Sequence, residues 1–148
     1  MSNPESLVYA LVKKLGIEAT AFENGVCTIQ FDAHMMNFQA DAEQNELRCF
    51  LRIADIPADA EARMSMYRLL LMANAVGRRT GGGQMGIDDR ETFVVFSHAF
   101  SAANMTVERL EAIVETLLNL TEEIQRELAE ISVPGPATPP LMPAGMRV

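Results

Sequence analysis

Tryptophan is absent from this chain, and tyrosine occurs only twice. Cysteine also occurs only twice, as Cys27 and Cys49. Neither belongs to a C-x-x-C pair, and neither lies near His34 or His98 in sequence. A structural zinc site needs four ligands at compact spacing, so no metal site is expected. Two free thiols acting as small hydrophobes fit a reducing compartment. Long apolar runs are missing too, and none approaches the roughly 18 residues that span a bilayer. Met1-Ser2-Asn3-Pro4-Glu5 offers no basic stretch followed by an apolar one, so it does not read as a secretory signal. The sequons at Asn104 and Asn119 fall at and inside a predicted helix and read as chance matches. Basic residues are scarce: 12 Lys and Arg against 20 Asp and Glu give a net charge of −8. Such a surface repels phosphate backbones, which argues against nucleic acid and for basic or poorly folded partners.

What is present can build a core. Hydrophobic residues make up 49% of the 148, and charged residues 22%. That length suits one domain. The first helix is expected over Pro4 to Leu15, with Asn3 as cap, Pro4 at its first position and Gly16 where the chain leaves it. Asn24-Gly25 signals a turn. Val26 to Phe31 then alternates, Asn37 to Asp41 forms a weaker strand, and Glu46 to Ile53 alternates clearly. This is the pattern of an antiparallel meander with one buried face.

A second helix is expected over about Ala60 to Val76. From Leu69 to Val76 it is apolar nearly all round, and a helix like that cannot face water on any side. A lone small subunit can hardly cover it, so one face should pack on the sheet and the other on a second subunit. Gln84 to Ile87 and Glu91 to Ala99 follow as a hairpin around Asp88-Asp89. Phe93 and Val95 alternate with Val94 and Phe96, which marks a central or interface strand. The last helix runs from about Val107 to Ile131, capped by Thr106 and about 37 Å long. From Val133 prolines crowd the chain, and residues 133–148 are expected to form a disordered, polyproline-like tail beside a single domain over 1–132. The fold class is therefore α+β. Its order is α-β-β-β-α-β-β-α, with a twisted antiparallel sheet packed by helices.

Catalytic motifs are thin. Gly81-Gly82-Gly83-Gln84-Met85-Gly86 matches G-x-G-x-x-G, but a dinucleotide site needs a strand before it and a helix after it. Here the order is reversed, so a nucleotide-binding enzyme is the weakest alternative. Nothing orients His34 or His98 as a base. Asp88 and Asp89 suit a turn, and Arg78 and Arg79 suit the carboxyl end of the second helix. Ten methionines are unusual. They suit either gap-filling in a core or a surface that accepts varied apolar chains.

The stretch Leu69-Leu70-Leu71-Met72-Ala73-Asn74-Ala75, followed by Gly82-Gly83-Gln84-Met85-Gly86-Ile87-Asp88, resembles class I type III secretion chaperones, the Tir-chaperone (CesT-like) group. It is similar to that family's helix ending in L-x-x-N, its glycine linker and its G-x-D strand end. Phe22 to Ile29 resembles the family's first strand, and Ala54-Asp55-Ile56-Pro57 the segment before its second helix. The resemblance spans about Glu5 to Ile131. It implies a bacterial, cytoplasmic homodimer that holds the N-terminal segment of a secreted effector extended and export-competent, with no catalysis and no cofactor. A dimeric adaptor or regulator of similar fold outside type III secretion is the alternative. An effector segment could add to an exposed sheet edge, with side chains entering apolar pockets. Leu7, Leu11, Val26, Phe38 and Phe50 are the expected effector-binding residues. Met66, Leu70, Ala73, Val76 and Phe96 are the expected dimer contacts.

Overall fold

The structure is a computed structural model that describes residues 3–76 and 80–132. The element order is α1 (Pro4–Leu15), β1 (Val26–Phe31), β2 (His34–Asp41), β3 (Glu46–Asp55), α2 (Ala60–Val76), β4 (Gln84–Ile87), β5 (Phe93–Ser101) and α3 (Val107–Ser132). The five strands form one antiparallel sheet in the order β1-β2-β3-β5-β4. The expected α+β order is therefore the observed one. The Pro-rich stretch 133–148, Arg78 and Arg79 lie outside the described residues, as does the side chain of Val76.

Local chemistry explains the element ends. The Asn3 side chain accepts from the N–H groups of Glu5 at 2.8 Å and Ser6 at 3.3 Å, and Gly16 leaves α1 in the left-handed conformation at φ 65°. Thr106 Oγ1 accepts from the Arg109 N–H at 3.1 Å to cap α3. β2 starts at His34, three residues earlier than its sequence suggests, because Asp32 takes a positive φ of 50° and makes a tight turn. β5 starts later, at Phe93. Asp88 holds the loop before it, and Glu91 sits at φ 55°.

Alternation along the strands gives the sheet one buried face. Cys27, Ile29, Met36, Phe38, Leu47, Cys49, Leu51 and Phe96 are almost wholly buried there. α1 and α3 pack across this face and against each other, and α2 packs against α3 and β4. α3 supplies Leu110, Val114, Leu117, Thr121, Ile124 and Leu128, all buried and spaced by three or four residues. A cross-helix pair between Lys14 Nζ and Glu111 at 2.8 Å, with Glu108 at 3.6 Å, ties α1 to α3.

Thr121 is the exception within that stripe. It is fully buried, and its hydroxyl has no hydrogen-bond partner among the described residues. A buried, unmade hydrogen bond costs about 1–3 kcal/mol. Thr121→Val keeps the shape and removes the polar atom. It should raise the urea midpoint with an unchanged slope, by roughly that energy.

Candidate functional site

The glycine loop owes its composition to packing. A Cβ on Gly83 would lie 2.6 Å from the Ser97 carbonyl oxygen, and one on Gly81 would lie 2.8 Å from Leu120. The loop presses against β5 and α3 and then enters a strand, so no helix N-terminus faces it. The neighbouring cleft of about 270 Å³ sets Ala112, Ile113 and Leu117 beside His98 and Arg109.

Cys49 lies opposite His98 in the pairing of β3 with β5. Burial pushes His98 below its usual pKa, so it is neutral at pH 7, and its ring stands edge-on to Phe100. His34 faces Glu122 at 3.5 Å. Burial pushes the Cys49 thiol up to about 12, and Cys27 is also raised by burial while its Sγ donates to the Thr20 carbonyl. Neither thiol ionises near neutrality, so neither is a nucleophile there. Among the described residues no three His, Cys, Asp or Glu side chains gather around one point.

Asp88 is a structural carboxylate. Its oxygens accept from the N–H groups of Thr92 at 2.6 Å, Phe93 at 2.8 Å and Arg90 at 3.3 Å, and from the Thr92 hydroxyl. Desolvation pushes its pKa up, but these hydrogen bonds outweigh it and hold the carboxyl down at about 2. Tyr67 of α2 donates to Glu91 in the same loop. A lowered carboxylate pKa stabilises the fold fully above the unfolded value, near 3.8, and loses that contribution as pH falls through about 2. Asp88→Asn should therefore be less stable than the parent at pH 6, with the gap closing between pH 4 and pH 2 in acid titrations followed by circular dichroism.

The expected effector-binding residues divide between two faces. Leu7, Leu11 and Phe38 are buried under α1 in the subunit's own core, at 7%, 0% and 0% exposure. Val26 and Phe50 point out of the opposite face, half-buried, among Thr28, Asn37, Gln39, Arg48 and Ser97. The two sets lie on opposite sides of one sheet and do not form one pocket. Alternation has a period of two, so Cys49 and Phe50 cannot share a face.

Four of the five expected dimer contacts are likewise inside the subunit. Met66, Leu70, Ala73 and Phe96 are at most 5% exposed and pack with the sheet and α3. The second apolar side of α2 is real but lies elsewhere on the helix. Met64, Leu71 and Met72 stand 69%, 70% and 59% exposed. Sequence reasoning missed these three, although 100° per residue would have put Leu71 away from Leu70 and Ala73. The described methionines also divide by surroundings. Met36, Met66, Met85 and Met105 fill the core, and Met35, Met64 and Met72 face outward.

Both outer edges of the sheet are occupied by the chain itself. Residues 19–23 bridge to β1: Thr20 N–H donates to the Thr28 carbonyl at 3.0 Å, Thr28 N–H to Thr20 Oγ1 at 2.9 Å, and Glu23 and Val26 exchange both bonds. At the far edge, Asn74 binds Met85 through its side chain. Its Oδ1 accepts from the Met85 N–H and its Nδ2 donates to the Met85 carbonyl, both at 2.9 Å. The asparagine of the L-x-x-N stretch thus stands in for a neighbouring strand. The exposed edge that could have received an added strand is closed at these positions.

The fold recurs in solved structures. The chain is similar to one in the ExsC–ExsE complex, with 20% identity, a TM-score of 0.68, and coverage of 84% of this chain and 92% of that one. It is similar to one in the complex of the Yersinia pestis type III secretion chaperone SycH with a fragment of YscM2, at 16% identity and a TM-score of 0.61, covering 81% and 98%. The heterodimeric ExoU–SpcU complex from the type III secretion system of Pseudomonas aeruginosa also matches, at 12% identity and a TM-score of 0.62, covering 85% and 98%. These likenesses establish the fold. No curated protein matches the sequence significantly. The family model for Tir chaperone proteins matches residues 6–125, which takes in every element from α1 to most of α3. A continuous match of that extent decides the assignment: this chain belongs to the Tir chaperone protein (CesT) family.

Proposed function

We propose that this chain is a homodimeric chaperone, without catalytic activity, that binds the N-terminal segment of a type III secreted effector in the bacterial cytoplasm. Its role is to keep that segment extended, soluble and competent for export. The observation that carries the proposal is the family match across residues 6–125. Exposed apolar side chains in two separate places support it. Met64, Leu71 and Met72 on α2 suit a second copy, and exposed Met35 with the half-buried Val26 and Phe50 on the helix-free face suits a cargo chain. Two such surfaces on one small subunit suit pairing and holding more than turnover. No helix among the described residues is long and apolar enough to cross a membrane, which fits a protein that works in an aqueous compartment.

Pairing through α2 would bring two oily helix faces together, and a stable interface of this kind buries roughly 1,600 Å² in total. The cargo pays an ordering cost of several kcal/mol when it binds, so the wrapped surface has to be large. The acidic surface, at −8 per chain, favours a basic cargo segment. The deciding experiment combines light scattering with affinity capture from the source bacterium. The expected result is a mass of two copies and a secreted protein retained through its N-terminal segment. A mass of one copy, with no secreted protein retained, would overturn the proposal.

A further inference from the structure

The last turns of α3 run beside a gap in the sheet. The ladder between β2 and β3 has Asn37 with Phe50 as its last pair, yet β2 extends back to His34 and β3 forward to Asp55. The two strands diverge around a cleft of about 460 Å³, whose lining includes Met35, Asn37, Arg52, Ile53, Asp55 and Gln125. Gln125 belongs to α3, and its Nε2 donates to the Ile53 carbonyl at 2.8 Å, so the helix is pinned at the cleft. From there α3 continues for about two turns, roughly 10 Å, to Ser132. The chain beyond Ser132 therefore starts close to the cleft.

The charged groups at this cleft already have partners. Arg52 is paired with Asp55 at 2.5 Å and stacked 4.5 Å over Phe93, and His34 faces Glu122 at 3.5 Å. Such a lining suits an uncharged occupant, because a charged one would lose water without gaining a free counter-ion. Met35 stands 58% exposed there, a soft apolar side chain that gains from being covered. The chain that follows α3 has the matching composition. Residues 133–146 carry no charged side chain, and the first ionic group beyond Ser132 is Arg147. That stretch holds five of the seven prolines, and Leu141-Met142 lies between Pro140 and Pro143. Pro134-Gly135 is a turn-forming pair. A proline-rich chain covers about 3.1 Å per residue, so the step from Ser132 to Pro139 reaches about 22 Å. That is about twice the length needed to double back to Gln125.

We propose that Pro139-Pro140-Leu141-Met142-Pro143 folds back into this cleft and covers Met35. Proline has no N–H, so the segment fills the gap by side-chain contact and leaves the ladder between β2 and β3 open. A polyproline segment is extended before it docks, so little ordering is required of it. The same shortage of main-chain bonds keeps it displaceable. Its tether to α3 holds it near the cleft at an effective concentration on the order of millimolar, so weak apolar contacts suffice. Met35 also belongs to the proposed cargo surface. The segment is therefore a built-in competitor for that surface, a consequence that rests on the chaperone proposal.

The docking is tested without cargo, on the purified full chain. Dilute hydrogen peroxide converts an accessible methionine to its sulfoxide, and mass spectrometry of peptides gives the rate at each position. The parent is compared with the double variant Leu141→Asp, Met142→Asp, whose changes lie outside the folded core and put carboxylates on the docking segment. Met35 should oxidise at least about fivefold faster in that variant, the ratio expected when the segment covers the cleft about four-fifths of the time. Met64 on α2 should oxidise at one rate in both. The apolar exchange Leu141→Met, Met142→Leu should keep the slow rate at Met35. Equal Met35 rates in the parent and the Asp variant would overturn the inference. So would an equal acceleration at Met64, which would mean general loosening, or a Met35 protection lost on dilution, which would assign the segment to a neighbouring copy. Failure of parent and variant alike to retain a secreted protein bears on the chaperone proposal alone.

Discussion

Leu71→Asp should yield a folded single subunit, and Leu70→Asp should yield no folded subunit. The two positions are adjacent, but one turn step of about 100° places them in different environments. Leu71 is 70% exposed, so a carboxylate there stays in water and costs the isolated fold little. In a dimer formed through α2 it would bury an unpaired charge against the partner helix, which is strongly unfavourable. Leu70 is 5% exposed and packs in the core, so a carboxylate there is buried in the subunit itself. That penalty amounts to several kcal/mol, comparable to the whole stability of a small domain. Light scattering and far-ultraviolet circular dichroism separate the outcomes. A Leu71→Asp variant that keeps the mass of two copies would place the dimer contact off this face of α2.

Phe38→Ala should cost about 3–5 kcal/mol of stability, and Phe50→Ala no more than about 1 kcal/mol. Phe38 has no exposed surface and sits between Cys27 and Cys49 in the pairing of β1, β2 and β3. Removing its ring leaves a cavity that the surrounding sheet and helix cannot close. Phe50 lies on the helix-free face and is only partly buried. Its loss should instead weaken retention of cargo in a pull-down while the urea midpoint stays nearly constant. A large stability loss for Phe50→Ala, with unchanged cargo retention, would remove that face from the proposed cargo surface.

Much of this was legible in the chain. Hydrophobic spacing located α1, α2 and α3, and alternation located β1 and β3 almost to the residue. Those signals are local: a period of 3.6 or of two declares which side of an element will be buried. The ragged ends had local causes that pattern alone hides, such as the positive φ of Asp32 and the capping of the β4–β5 loop by Asp88. The glycine run was recognisable as a connection. That Gly83 must clear the Ser97 carbonyl was not, because the contact depends on a strand from a distant part of the chain.

The candidate surfaces were harder to read for the same reason. Apolar residues for binding and for core look alike in sequence. Leu7, Leu11 and Phe38, chosen for cargo, and Leu70 and Ala73, chosen for pairing, are the ones the subunit buries for itself. Among the described residues the exposed large hydrophobics are Tyr9, Met35, Met64, Leu71, Met72 and Ile87. By itself the sequence determined the element types, their order, the acidic charge and the excess of apolar surface on α2. Only the tertiary structure decided which stripe of that helix stays bare, how Asn74 and residues 19–23 close the sheet's edges, and where β2 parts from β3. Periodicity fixes faces relative to one element's axis, whereas exposure depends on which other elements arrive to cover them.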